Sequence, residues 1–142
     1  DAAALVMSLP DLNQVWSLGK DNPRALALWS DFWGCRNLLR NPNSTDPQVE
    51  QSREAVADRA VEFNNVIADV CAAAPNCISD GGALYAHEFT VEQVSSIDFF
   101  HPSAAGQQAI AQLIEKEQRN ARHSQHNSQH IAALDLLFIQ NG

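Results

Sequence analysis

Val49, Val56, Ala60, Phe63, Ile67 and Val70 recur at intervals of seven, four, three, four and three residues. That rhythm lines them along one face of an α-helix, while Glu50, Arg53, Glu54, Asp58 and Glu62 fall mostly on the others. Asp46 offers a side-chain acceptor to the first free amides, and Pro47 suits the first helical position, where no amide donor is needed. The pattern predicts a helix from Pro47 to about Ala74. A single helix with one apolar stripe is marginal in water, so whatever this chain folds into must cover that stripe with another element.

The remaining elements read as partners for it. Ala2–Leu9 is a nearly continuous apolar run ended by Pro10-Asp11, the signature of a strand buried on both faces of a parallel sheet. The loop after such a strand is where α/β proteins tend to place functional groups. A helical turn is expected at Leu12–Leu18. A further helix runs from Pro23 to about Leu39, with Asn22 as its cap; Gly34 weakens its middle, so two short helices are the alternative. Arg40–Pro47 is a loop by composition.

Ile78–Tyr85 holds a short strand broken by Asp80-Gly81-Gly82, and Ala86–Phe100 shows no helical period. Ser103 caps a last amphipathic helix carrying Ala105, Ala109, Ile110, Leu113 and Ile114. The order of strand, helices, strand and helix is that of part of an α/β sandwich, with too few strands for a complete one. Residues 1–117 form this unit. Residues 118–142 read as a polar linker, Gln118–His130, followed by a short apolar tail.

With 142 residues, 45% of them apolar and 18% charged, the chain is long enough for one domain with its own core. Nine basic residues against seventeen acidic ones give a net charge of −8 and a pI of 4.9. Such a surface repels phosphate backbones, so nucleic acid is not an expected partner. No apolar run reaches the ~18–20 residues of a membrane span. Asp1 follows no basic and apolar leader, which fits either a trimmed chain or the C-terminal part of a longer domain.

Cys71 and Cys77 flank a turn-forming stretch, Ala-Ala-Ala-Pro-Asn. A disulfide there would contribute about 2 kcal/mol by loop closure; two buried thiols are the other reading. Cys35 then lacks a mate, which in an exported protein points to a partner elsewhere. Low charge with many Asn, Gln, Ser and Thr fits export, and Asn43-Ser44-Thr45 matches a glycosylation triplet.

The chemistry of the chain centres on Asp98 and His101. A carboxylate three residues before a histidine on a loop can turn back to accept from Nδ1–H, which leaves Nε2 free as a base. Pro102 keeps His101 out of the helical region and makes the ring project from a bend. The plain alternative is a loop carboxylate followed by a polar residue flanking a helix.

Asp98-Phe99-Phe100-His101-Pro102 and the following Ser103-Ala104-Ala105-Gly106-Gln107 resemble the final block of the SGNH (GDSL-type) hydrolases. Leu5–Leu12, Phe63-Asn64-Asn65, the Cys71/Cys77 turn and the Asp80-Gly81 loop are similar to the exported actinobacterial-type branch. The likeness covers about Ala2 to Lys116, specifically at 98–107 and diffusely elsewhere. It implies an incomplete flavodoxin-like three-layer α/β sandwich, of which this chain is the helix-rich C-terminal part. It also implies a serine ester hydrolase acting on acyl esters or lipids without metal or organic cofactor. His101 would be the general base and Asp98 the residue that orients it. The chain departs from the pattern by lacking the Gly-Asp-Ser block and the Gly-bearing oxyanion blocks, so no serine here is assigned as nucleophile. Alone it should be close to inactive, the missing half being a separate chain or a lost segment.

Other polar residues invite weaker readings. His123, His126 and His130 share a helical face, as zinc ligands can, but lie in a Gln/Asn/Ser-rich segment that suits a solvated linker better. His87-Glu88 reads as polar surface, and Trp16, Trp29 and Trp33 as core or acyl-pocket wall. The alternative to a half-enzyme is a non-catalytic module that associates through the apolar faces of the 47–74 and 104–114 helices.

Overall fold

A computed structural model describes residues 3–31 and 35–140, with side chains over 3–30 and 35–123. The apolar run at the start forms strand β1 over Ala4–Val6, and its Ala4 is exposed while Leu5 and Val6 are half-buried. Burial on both faces, which the run predicted, is therefore not reached. β1 has one neighbour, strand β2 at Cys77–Ser79, in parallel register that sets Ala4 opposite Cys77 and Val6 opposite Ser79. Two strands carry too few covering elements to enclose β1 among the described residues.

Parallel neighbours need a long crossover, and here four helices supply it. They are α1 (Asn13–Gly19), α2 (Pro23–Asp31), α3 (Arg36–Leu39) and α4 (Pro47–Ala73). Short polar side chains start three of them. Asp11 Oδ1 accepts from Asn13 N at 3.0 Å, Asn22 Oδ1 from Arg24 N at 3.0 Å, and Asp46 Oδ1 from Gln48 N at 2.9 Å. α2 ends at Asp31 and α3 begins at Arg36, so two helices are described where the sequence leaves open one or two; Gly34 lies outside the described residues. Trp33 lies outside the described residues.

Ala25, Trp29, Leu38, Leu39 and Phe99 form the buried centre, with Leu12, Val15, Trp16, Val56 and Phe100 packed around it. α4 lies against β2, α3 and α1. Its stripe is covered only in part: Ala60 is buried, whereas Phe63 and Val70 are 52% and 64% exposed. Two cross-links tie α4 to the sheet. Asn64 brackets the backbone of Leu9, accepting from its N at 2.7 Å and donating to its O at 3.1 Å. A disulfide joins Cys71, at the end of α4, to Cys77 in β2.

The last helix, α5, runs from Ala104 to Gln140. The linker expected from residue 118 is thus helical through its polar stretch. Its low complexity hid a simpler fact: no Gly or Pro interrupts residues 107–141, and Gln, Arg, Ala and Glu all favour helix. No helix among the described residues is long and apolar enough to cross a membrane.

α5 starts hard against a 3-10 turn at Val91–Gln93. Ser103 N donates to Gln93 O at 2.9 Å, and Ser103 Oγ donates to Glu92 O at 2.7 Å while accepting from Gly106 N at 3.2 Å. A Cβ on Gly106 would collide with the Gln93 carbonyl oxygen and meet Pro102 Cβ at 3.0 Å. Gly106→Ala is therefore expected to destabilise the protein by about 1–3 kcal/mol despite alanine's better helix propensity. Thermal unfolding followed by circular dichroism measures it; an unchanged or higher Tm would show that the turn yields freely.

Candidate active site

The segment from Val94 to Pro102 is closed on itself. Val94 and Pro102 form an antiparallel bridge, Ser95 N donates to His101 O at 2.8 Å, and Phe99 N donates to Ser95 O at 2.9 Å. Phe99 holds a φ of 53°, in the left-handed region that costs an ordinary L-residue about 1–2 kcal/mol. The ring explains why the strain persists. Only 8% exposed, it is embedded in the central cluster and anchors the loop from its middle.

That hook sets Asp98 and His101 face to face. Asp98 Oδ1 accepts from Phe100 N at 3.0 Å and from His101 N at 3.1 Å, a side-chain-closed turn. Asp98 Oδ2 is then left 2.8 Å from His101 Nδ1. An ionised carboxylate can only accept, so Nδ1 carries a proton, and in the neutral ring Nε2 is the nitrogen with the lone pair. Burial works to raise the Asp98 pKa. The hydrogen bond from His101, the amides of Phe100 and His101 and the imidazolium charge outweigh it and hold the carboxyl below its ordinary range. The His101 side chain is 68% exposed, and Nε2 has no hydrogen-bond partner among the described residues.

His101 also lines a cavity of about 160 Å³. Leu12, Val15 and Leu18 form one wall; Phe89, Val94 and Phe100 contribute to the other. Gln14 holds the two sides in place. Its Nε2 donates to His87 O at 2.9 Å and its Oε1 accepts from Phe89 N at 2.7 Å, so α1 grips the irregular 87–89 segment through one amide. The arrangement combines a base aimed outward with an apolar recess beside it.

The other polar candidates stand apart from this pair. His87 is half-buried and packs edge-on against Phe89, with ring centroids 4.5 Å apart. Trp16 is half-buried, donating to Pro42 O at 2.8 Å with the Arg53 guanidinium carbon 4.6 Å from its ring centre. Trp29 belongs to the core. Cys35 is a free, exposed thiol, and Asn43 is exposed on its loop. His123 is exposed with Nδ1 3.3 Å from Arg119 O. The side chains of His126 and His130 lie outside the described residues. Among those described, no group of three or more potential ligands stands close enough to hold a metal.

One buried feature joins residues far apart in the sequence. Ser8, two residues beyond β1, donates to Asp80 Oδ2 at 2.8 Å and accepts from Tyr85 N at 3.0 Å. Asp80 also accepts from Leu84 N at 3.0 Å and Gly82 N at 3.1 Å. Burial favours the neutral acid, but the amide of Leu84 and the Ser8 hydroxyl, with further backbone donors, leave its pKa lowered. The only hint was a polar residue ending an apolar run, paired with an acid before Gly-Gly. Gly81 and Gly82 both take positive φ there, which makes the tight turn around Asp80 possible.

Comparison with models of protein families, with curated proteins and with solved structures finds no match for this chain.

Proposed function

We propose that this chain is the acid–base half of a serine ester hydrolase, the C-terminal part of an SGNH-type domain with a flavodoxin-like sandwich. The observation that carries this reading is the 2.8 Å contact between Asp98 Oδ2 and His101 Nδ1, on a histidine that also lines an apolar cavity. A serine on polypeptide outside these residues would attack the ester carbonyl while Nε2 takes its proton. The tetrahedral adduct collapses as the alcohol leaves with that proton, and an acyl-enzyme remains. Water then attacks the acyl carbon, again giving a proton to Nε2. The acid departs and the serine regains its hydrogen. Oxyanion donors would come with the nucleophile.

Ile97, next to Asp98 in the chain, is 85% exposed, which fits a face that a second stretch of polypeptide covers. The Cys71–Cys77 disulfide supports placing the protein in an oxidising, extracellular setting. The test joins or mixes this chain with an N-terminal segment bearing the Gly-Asp-Ser block and follows p-nitrophenyl ester hydrolysis. Activity that depends on both halves supports the reading. Activity indifferent to His101 overturns it.

A second reading is favoured by the exposed run of Phe63, Val66 and Val70 on α4, which suits a non-catalytic association module. It expects dimers or larger species by size-exclusion chromatography with light scattering at micromolar concentration. A strict monomer that binds no apolar dye counts against it.

A further inference from the structure

We propose that the cavity lined by His101 is an acyl site for a straight chain of about four to six carbons, making short-chain esters the substrates. The ester part of this inference rests on the hydrolase reading; the binding part does not.

Size comes first. The cavity measures about 160 Å³, close to the ~150 Å³ void in an engineered protein core that takes up benzene, a six-carbon molecule. A butanoyl or hexanoyl chain fits that space, and a decanoyl chain must leave part of itself in water.

The walls cannot readily give way. Leu12, Val15 and Phe100 pack on the buried centre, and the opposite side is held by the Gln14 clamp on His87 and Phe89. Well-packed surroundings of this kind resist expansion.

Chemistry comes second. Leu12, Val15, Leu18, Phe89 and Val94 present hydrocarbon to the cavity. Of the two side-chain amides in the lining, Gln14 spends donor and acceptor on the backbone of residues 87 and 89, and Gln93 spends its Oε1 on Thr90 N. A polar ligand would lose its hydrogen bonds to water and find few in return. An apolar chain loses nothing, and each methylene that is buried raises affinity about fourfold. His101 and Asp11, with the two glutamines, share the cavity with the hydrocarbon. An acyl chain lying there brings its carbonyl end to the imidazole.

The experiment uses the intact chain and needs no nucleophile. Methyl butanoate, methyl hexanoate and methyl decanoate are titrated into ¹⁵N-labelled protein, and amide shifts at residues 12–18 and 89–101 are followed. Affinity should rise more than tenfold from butanoate to hexanoate and gain nothing further at decanoate. Leu18 lines the cavity without belonging to the buried centre, so L18W should fill the space and weaken hexanoate binding at least tenfold. L18A should instead move the optimum to a longer ester, a gain that misfolding cannot imitate.

Shifts elsewhere only, affinity that climbs through decanoate, or L18W binding hexanoate as well as the wild type would each overturn the proposal. Hydrolysis and binding fail separately. Binding with this chain-length limit but no activity in the joined halves removes the hydrolase and keeps the site. Activity in the joined halves without binding of this kind does the reverse.

Discussion

Asp98→Asn in the joined enzyme is expected to lower kcat by about 10²–10⁴-fold while leaving the fold intact. The reason lies in which oxygen does what. Oδ1 closes the turn by accepting from the amides of Phe100 and His101, and the asparagine carbonyl can continue to do so. Oδ2 becomes an NH₂ group, a donor where His101 Nδ1 now donates. Nδ1 must then accept, which puts the ring proton on Nε2 and removes the lone pair the chemistry needs. His101→Ala should cost at least as much. Steady-state p-nitrophenyl ester kinetics measure both, with circular dichroism as the control for folding. If Asp98→Asn retained more than half the wild-type rate, His101 would not be acting as the base.

Asp80→Ala should produce the largest loss of stability, about 3 kcal/mol, or a fall in Tm of about 10 °C. Asp80 is 5% exposed and accepts from the Ser8 hydroxyl and the Leu84 and Gly82 amides; removing it strands those donors in the interior. The pH dependence has a definite sign. Because the folded-state pKa of Asp80 is lowered, its contribution is complete above the unfolded-state value of about 3.9 and fades as pH falls through the folded-state value. The gap between wild type and Asp80→Ala in urea unfolding should therefore be wide at pH 7 and narrow below about pH 4. A gap that stays constant with pH would mean that the ionised carboxylate is not what holds Ser8 and the 80–85 turn together.

The two expectations differ in how visible their residues were beforehand. Asp98 and His101 are three positions apart on one loop, so local chain geometry suffices to bring them together, and their pairing was legible. Ser8 and Asp80 are separated by 72 residues, and four helices lie between them in the chain. Their meeting depends on β1 and β2 lying parallel, which no local pattern announces. Phe99 illustrates the same limit inside the site. Its left-handed backbone is unfavourable locally and is held by the burial of its ring in the central cluster with Trp29, Leu38 and Leu39. At Gln14 the sequence shows only a position in a helical turn, yet the side chain braces one side of the cavity against the other.

Local chemistry alone settled the helix from Pro47, the caps at Asn22, Asp46 and Ser103, and the short reach between an acid and a histidine. Each depends on residues within a few positions of one another, where spacing and hydrogen-bonding capacity are written in order along the chain. Tertiary structure decided the rest: how far β1 is covered, which part of the α4 stripe stays exposed, and that an apolar recess lies beside His101. Those outcomes come from surfaces meeting across long loops, where the free energy belongs to the fit between elements and to no single element's pattern.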